Sequence, residues 1–160
     1  MAIKVFNTFR VKRSATQQAA MQKLTSPGAK VFNQYKDVLM ISAIIGYNEN
    51  KYVPIEKGAS DGVLMQFFTE RDYDIMDLIA YAHDKSQEIL KEEKKYEIFS
   101  SYANGGFPIL LEKLEITTID EVEHMSIDAA RSLQKKYFSL LLGNEFDNTD
   151  SELNDEDLFI

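Results

Sequence analysis

The sequence contains no cysteine. Disulfides, thiolate metal sites and cysteine nucleophiles are therefore excluded, and the composition suits a reducing cytoplasm. The longest apolar run, residues 38–45, is much shorter than the roughly 20 residues that a membrane helix needs. The N-terminus also lacks the apolar central block of a secretory signal peptide. We therefore expect a soluble, cytoplasmic protein that has no membrane partner.

Acidic side chains are absent from residues 1–36, although the whole chain has 26 of them and a formal net charge of −8. The same segment carries seven of the 18 basic side chains. A basic N-terminal segment is therefore joined to a strongly acidic remainder. Charge asymmetry of this kind is informative about partners rather than about the fold.

A length of 160 residues and a hydrophobic content of 44% predict one globular domain, over residues 1–143. Residues 144–160 hold seven acidic side chains and no basic one, which predicts a disordered tail. The tail ends in an apolar triplet, so it can serve as a docking peptide or simply as a solubilising segment. The candidate docking residues are Asp155, Glu156, Asp157, Leu158, Phe159 and Ile160.

Residues 3–11 alternate between apolar and polar side chains, which predicts a strand with one buried face. The alternation is interrupted at Phe6 and Asn7, as at a bulge or where a phenylalanine packs on the other face. The polar face can contact phosphates and base edges, the acidic body of the protein itself, or an acidic partner. The candidate residues for DNA or partner binding are Lys4, Phe6, Thr8, Arg10, Lys12 and Arg13.

Helical spacing of apolar residues, together with capping residues such as Ser14, Thr69 and Ser126, predicts a mainly helical fold. Glycine is expected to end two of the helices, at Gly46 and at Asn104-Gly105-Gly106. The expected helices cover residues 14–25, 35–45, 69–83, 86–103, 108–114 and 126–142, with extended segments at 3–11, 52–55 and 63–68 and a brief helical turn from 118. The predicted fold class is α+β, mainly α, with five or six helices around the 35–45 helix and a small sheet that includes the N-terminal strand.

Motifs that carry chemistry are few. The chain has two histidines, and neither a phosphate-binding glycine loop nor a serine nucleophile elbow is present. His83 near a helix end is explained by the helix carbonyls, and Asp72 and Asp74 by the helix N-terminus, without any metal. Asn104-Gly105-Gly106 can form a phosphate-binding turn, although a helix stop explains it more simply. We therefore expect no catalytic residue, no metal and no cofactor, with a metal-dependent nuclease or hydrolase using the Asp72–Asp77 region and His83 as the weaker alternative.

Three stretches of the sequence resemble a known family. They are Tyr35–Tyr47, Leu78–Asp84 and Tyr96–Leu110, with Tyr102-Ala103-Asn104-Gly105-Gly106 as the most specific piece. Over about residues 30–115, their order and spacing resemble small accessory proteins that are encoded beside DNA phosphorothioation (Dnd) gene clusters in bacteria. The resemblance implies a setting in bacterial DNA modification and defence against phage, and it carries no catalytic residue over to this chain.

The resemblance and the residues together lead us to expect a non-enzymatic accessory subunit that bridges or regulates larger proteins of such a defence system. Its expected partners are those larger subunits, with duplex DNA at the basic face and a second copy of the chain as further candidates. The alternative is a dimeric DNA-binding regulator in which two protomers pair their N-terminal strands. The basic segment and the acidic tail thus provide two separate predicted docking surfaces, unless the tail folds back onto the basic face.

Overall fold

The computed structural model describes residues 10–27, 31–56, 62–116 and 125–142. These residues form five α-helices, two 3-10 helices and one pair of very short strands. In chain order the elements are β1 (Arg10–Val11), α1 (Ala15–Leu24), α2 (Tyr35–Asn48), β2 (Val63–Leu64), α3 (Glu70–Asp84), α4 (Lys94–Lys113) and α5 (Ile127–Leu142), with 3-10 helices at Met65–Phe67 and Gln87–Lys91. Among the described residues, every helix is too short or too polar to serve as a membrane span. The prediction of a mainly helical fold is confirmed.

The starts of α1 and α3 have the predicted side-chain caps, whereas the helix predicted over residues 86–103 is divided into the 3-10 helix Gln87–Lys91, capped by Ser86, and α4, which begins at Lys94 without a side-chain cap. Ser14 Oγ accepts a hydrogen bond from the backbone N–H of Gln17 at 3.2 Å, and Gln17 Oε1 accepts one from the N–H of Ser14 at 3.0 Å. Thr69 and Asp72 form the same reciprocal capping box at the start of α3. Each cap satisfies backbone donors that a helix N-terminus otherwise leaves unpaired.

The core lies between α2 and α4, which make the most extensive contact of any two described elements. The prediction of a central buried helix is confirmed, because α2 buries residues on nearly all its sides: Val38, Leu39, Met40, Ile41, Ser42, Ala43, Ile45 and Gly46. The largest side chains that α4 buries against this core include Tyr96, Ile98, Phe99 and Leu110.

Glycines allow α2 and α4 to approach at backbone distance. A Cβ atom on Gly46 would lie 2.0 Å from the carbonyl oxygen of Tyr102, and one on Gly106 would lie 1.8 Å from the carbonyl oxygen of Ser42. A Cβ atom on Gly105 would meet the carbonyl oxygen of Lys51 at 2.0 Å. All three positions therefore require the absence of a side chain, because no Cβ fits in the space that the opposing backbone occupies.

The predicted helix stop at Asn104-Gly105-Gly106 is wrong. The chain forms one continuous helix through these residues, and Pro108 lies inside α4 instead of starting a separate short helix. Gly46 likewise lies within α2, which continues to Asn48. The physical reason is that these glycines serve the contact between two helices, so positive φ and helix termination do not explain them. The alternative of a phosphate-binding turn at residues 104–106 is excluded by the same continuous helix.

Asn50 makes the actual reversal after α2. Its φ of 55° is in the left-handed region, which asparagine tolerates better than most residues. The next N–H, that of Lys51, donates back to the carbonyl of Gly46 at 2.7 Å, as in a common helix C-terminal motif. The chain then runs along α4, where the N–H of Val53 donates to the carbonyl of Ser101 at 3.1 Å.

The predicted small sheet is not confirmed. Within the described ranges, strand pairing is limited to two antiparallel residue pairs, Arg10 with Leu64 and Val11 with Val63. Residues 3–9, on which most of the predicted N-terminal strand falls, lie outside the described residues, as do the predicted turn from 118 and the tail 144–160. Residues 52–55, predicted as extended, form no strand, and only the first two residues of the 63–68 segment do.

A buried ion pair joins α3 to α4. Lys95 Nζ lies 3.0 Å from Asp77 Oδ1, with side-chain exposures of 2% and 9%, and it also donates to the carbonyl of Leu90 at 3.0 Å. Burial raises the pKa of Asp77, and the hydrogen bond and charge of Lys95 partly offset that effect. Because a buried charge without its partner is costly, the pair fixes how α3 sits on α4.

Candidate interaction surface

Four rings form a cluster on one side of the helical core. Tyr47 lies in the last turn of α2, Tyr52 in the segment that follows, His83 in the last turn of α3 and Tyr102 in the middle of α4. Three helices and one connecting segment therefore bring together side chains that are up to 55 positions apart in the sequence. We call this group the aromatic cluster.

Tyr102 is the centre of the aromatic cluster. Its ring is 5.6 Å from that of Tyr47 and 5.0 Å from that of Tyr52, at interplanar angles of 78° and 75°. His83 stacks on Tyr52 with centroids 4.5 Å apart and planes 13° from parallel. His83 Nδ1 also pairs with the Tyr102 hydroxyl at 2.8 Å. Stacked and edge-to-face geometries are both favourable, so the four rings hold one another in place.

The aromatic cluster has a buried centre and partly exposed outer rings. Tyr102 is only 5% exposed, whereas Tyr47 and Tyr52 are 40% and 37% exposed. The segment that carries Tyr52 is held by Asn104 Nδ2, which donates to the carbonyl of Val53 at 2.9 Å. Burial raises the pKa of Tyr102, and Tyr47 and Tyr52 add to that effect electrostatically. The Tyr102 hydroxyl thus stays neutral and able to donate or accept hydrogen bonds.

A groove of about 260 Å³ adjoins the aromatic cluster at Tyr52. Lys12 and Glu97 give it one exposed charge of each sign, and the remainder of its lining is apolar or carries hydroxyl groups. The lining residues are Lys12, Tyr52, Pro54, Ile55, Glu97, Ser100 and Ser101. The groove extends the surface that a partner could contact beyond the four rings.

The predicted basic face is only partly described. Lys4, Phe6 and Thr8 lie outside the described residues, and Arg10 is described through its backbone pairing with Leu64. Lys12 is exposed and lines the groove.

Arg13, also predicted to bind DNA or a partner, is buried. It is 5% exposed, its Nε donates to Gln18 Oε1, and its guanidinium carbon lies 5.4 Å from the centre of the Tyr35 ring. These contacts make Arg13 part of the packing around the start of α2. The candidate tail residues 155–160 lie outside the described residues.

Two of the carboxylates considered as metal ligands have other partners. Asp72 Oδ2 lies 2.6 Å from Lys36 Nζ and accepts from the N–H of Thr69, while Asp77 pairs with Lys95. Within the described ranges no three His, Asp or Glu side chains are grouped so that they could hold a metal ion.

His83 lies in the last turn of α3, as predicted, and its ring also contacts Tyr52 and Tyr102. Its neighbours in the cluster, Tyr47, Tyr52 and Tyr102, were not among the predicted site residues. A signal was nevertheless present, because each of the three stretches that resemble the family contains one of Tyr47, His83 and Tyr102.

The fold and the surface define a small, mainly helical domain with an exposed aromatic cluster. The sequence pattern of one family, described as DNA sulphur modification system-associated protein 4, matches residues 10–142. The chain belongs to this family, and the expected resemblance is thereby confirmed over more of the chain than the three stretches suggested. Comparisons with curated proteins and with solved structures gave no match.

Proposed function

We propose that the protein is a non-enzymatic accessory subunit that binds a larger protein of the DNA sulphur modification system through the aromatic cluster. Membership of the family supports the setting, since the family is described by its association with such a system. The proposed role is to bridge or regulate larger components in the bacterial cytoplasm, as part of defence against phage.

The observation that carries this proposal is the partial exposure of Tyr47 and Tyr52 around the buried ring of Tyr102. Tyrosine is enriched among the residues that dominate binding energy in protein interfaces, because it offers a large apolar body with a polar tip. The rings are held by their mutual contacts and by Asn104, so little conformational freedom is left to lose on binding.

Copurification tests the proposal. The tagged protein is expressed together with the proteins of the DNA sulphur modification system, as wild type and as a Tyr47→Ala/Tyr52→Ala double variant. The double variant should retain less than a tenth of the captured partner, because two central interface tyrosines are together worth more than about 2 kcal/mol.

Tyr81→Ala is the matched control for that experiment. Tyr81 is similarly exposed, at 43%, and lies on α3 outside the aromatic cluster. We expect Tyr81→Ala to capture as much partner as the wild type. Undiminished capture by the double variant, with its helical content unchanged, would overturn docking through the cluster.

Duplex DNA is the second candidate partner, and the exposure of Lys12 beside the groove favours it. The burial of Arg13 removes one of the predicted phosphate contacts. A gel shift at about 50 mM salt, where phosphate contacts are strong, compares the wild type with Lys12→Glu. A shift in the wild type that the substitution weakens would favour DNA binding, and the absence of any shift would exclude it.

The acidic tail is proposed as a further docking segment, through Leu158, Phe159 and Ile160. Deletion of residues 144–160 tests both this role and the idea that the tail masks the basic segment. Loss of partner capture would support docking by the tail, whereas stronger binding to DNA would support masking. Unchanged capture and unchanged DNA binding would leave the tail with a solubilising role.

A further inference from the structure

The aromatic cluster lies where two helices end. Tyr47 is the second-last residue of α2, and His83 is the second-last residue of α3. The C-terminus of a helix carries a partial negative charge, because the peptide dipoles are aligned along the helix and add together. Two such ends beside one group of rings make the site favourable for a positive charge.

The rings themselves add to this preference. The face of an aromatic ring carries a partial negative charge. The rings of Tyr47 and Tyr52 are inclined to the ring of Tyr102 by 78° and 75°, so the faces of these three rings point in different directions within the cluster. Tyr47, Tyr52 and Tyr102 also bring three phenol oxygens to the cluster, and each of these oxygens can accept a hydrogen bond.

Exposed side chains of both charge signs lie close to cluster residues along the chain, among them Glu49, Lys51, Asp84 and Lys85, and Lys12 and Glu97 line the adjoining groove. Selection of a cation would therefore depend on the ring faces, the phenol oxygens and the helix ends. The net charge of −8 over the whole chain would add attraction at longer range.

We propose that the aromatic cluster receives a cationic side chain, arginine or lysine, from the partner protein. The proposal rests on the proposed function, because it names the chemistry of the partner at the same surface. An arginine is the better fit of the two, since its flat guanidinium group can lie against a ring while its N–H groups donate to phenol oxygens.

Titration with a small arginine probe tests the proposal on the full-length protein. N-acetylarginine methylamide is added to protein with isotope-labelled tyrosine and histidine, and the ring signals are followed by NMR. N-acetylcitrulline methylamide is the control, because it has nearly the same shape and no charge. The signals of Tyr47, Tyr52 and His83 should move with the arginine probe and remain in place with the citrulline probe.

Variants connect the response to the cluster. Tyr52→Leu should weaken the arginine response roughly two- to fivefold, the change expected for one exposed cation–ring contact. Tyr81→Leu should leave the response unchanged. Equal responses to the two probes, no response to either, or a full response in Tyr52→Leu would overturn the proposal.

The two proposals fail in distinguishable ways. If the Tyr47→Ala/Tyr52→Ala variant loses the partner while arginine and citrulline probes behave alike, docking stands and the cationic side chain is excluded. If the arginine probe binds selectively while that variant captures the partner fully, the cluster prefers a cation, but the partner does not dock there and does not supply that cation.

Discussion

Replacing Gly106 by alanine should destabilise the protein, although the same change stabilises most helices. Alanine is better than glycine inside a helix by about 1 kcal/mol. The new Cβ atom would, however, lie 1.8 Å from the carbonyl oxygen of Ser42 and 2.5 Å from the backbone nitrogen of Gly46. Both atoms belong to the backbone of α2, so no side chain can turn away to make room, and the helices themselves must separate.

The expected size follows from these opposing terms. Overpacking a tight core costs about 3 kcal/mol at the upper end of the usual range, and backbone collision belongs there. Subtracting the helix preference of about 1 kcal/mol leaves a net loss of about 2 kcal/mol in the free energy of unfolding. For a domain of this size that corresponds to a fall of roughly 4–8 °C in Tm.

Urea unfolding followed by circular dichroism measures this change. Asn48→Ala is the control, because Asn48 is exposed at the end of α2, and we expect it to alter stability by less than about 0.5 kcal/mol. A Gly106→Ala protein as stable as the wild type, or more stable, would refute the account of why glycine occupies this position.

Three further predictions concern α3 and α4. Pro108→Ala should raise the free energy of unfolding, because Pro108 is exposed inside α4 and lacks the N–H that would bond to the preceding turn. Urea titration measures this change, and a loss of stability would contradict the prediction. Lys95→Ala should cost about 3–5 kcal/mol by leaving the Asp77 carboxylate buried without its cation, whereas a Lys95→Met/Asp77→Leu double variant should recover most of that loss. Because the folded pKa of Asp77 is raised above 3.8, its titration favours the folded state at low pH, and this contribution is lost as pH rises from about 3.8 through the folded pKa. The wild type should therefore lose stability relative to Asp77→Asn over that range in urea titrations, and a constant difference would exclude the effect.

Local signals made three of the helix starts predictable. Ser14, Thr69 and Ser126 are capping residues at the correct spacing, and each accepts a backbone hydrogen bond where expected. The burial of α2 was likewise predictable from the sequence, because apolar residues occupy most of its positions. These features depend on neighbours within a few residues, which a single sequence contains.

The two wrong helix ends have one cause. Glycine and proline usually interrupt helices, and Asn104-Gly105-Gly106 followed by Pro108 is a strong local pattern of that kind. The packing of α2 on α4 overrides it, since Gly106 and Gly46 are the positions where the two backbones touch. A contact between residues 60 positions apart cannot be read from spacing along one chain.

The aromatic cluster escaped prediction for a similar reason. Tyr47, Tyr52, His83 and Tyr102 are not arranged in any periodic pattern, and the left-handed turn at Asn50 is needed to bring Tyr52 back against α4. The charge pattern instead predicted a binding surface at residues 4–13, of which Arg13 is buried. The side chains that the fold brings together thus differ from those that the charge pattern predicted to bind a partner.

Photo-crosslinking at position 52 tests the central claim most directly. Benzoylphenylalanine replaces Tyr52 in cells that carry the complete modification system, and the same substitution at the exposed Ile127 on α5 serves as control. Docking through the aromatic cluster predicts that illumination links position 52, and not position 127, to a larger protein of that system. Efficient capture of that protein with no crosslink from position 52, or with equal crosslinks from both positions, would contradict it.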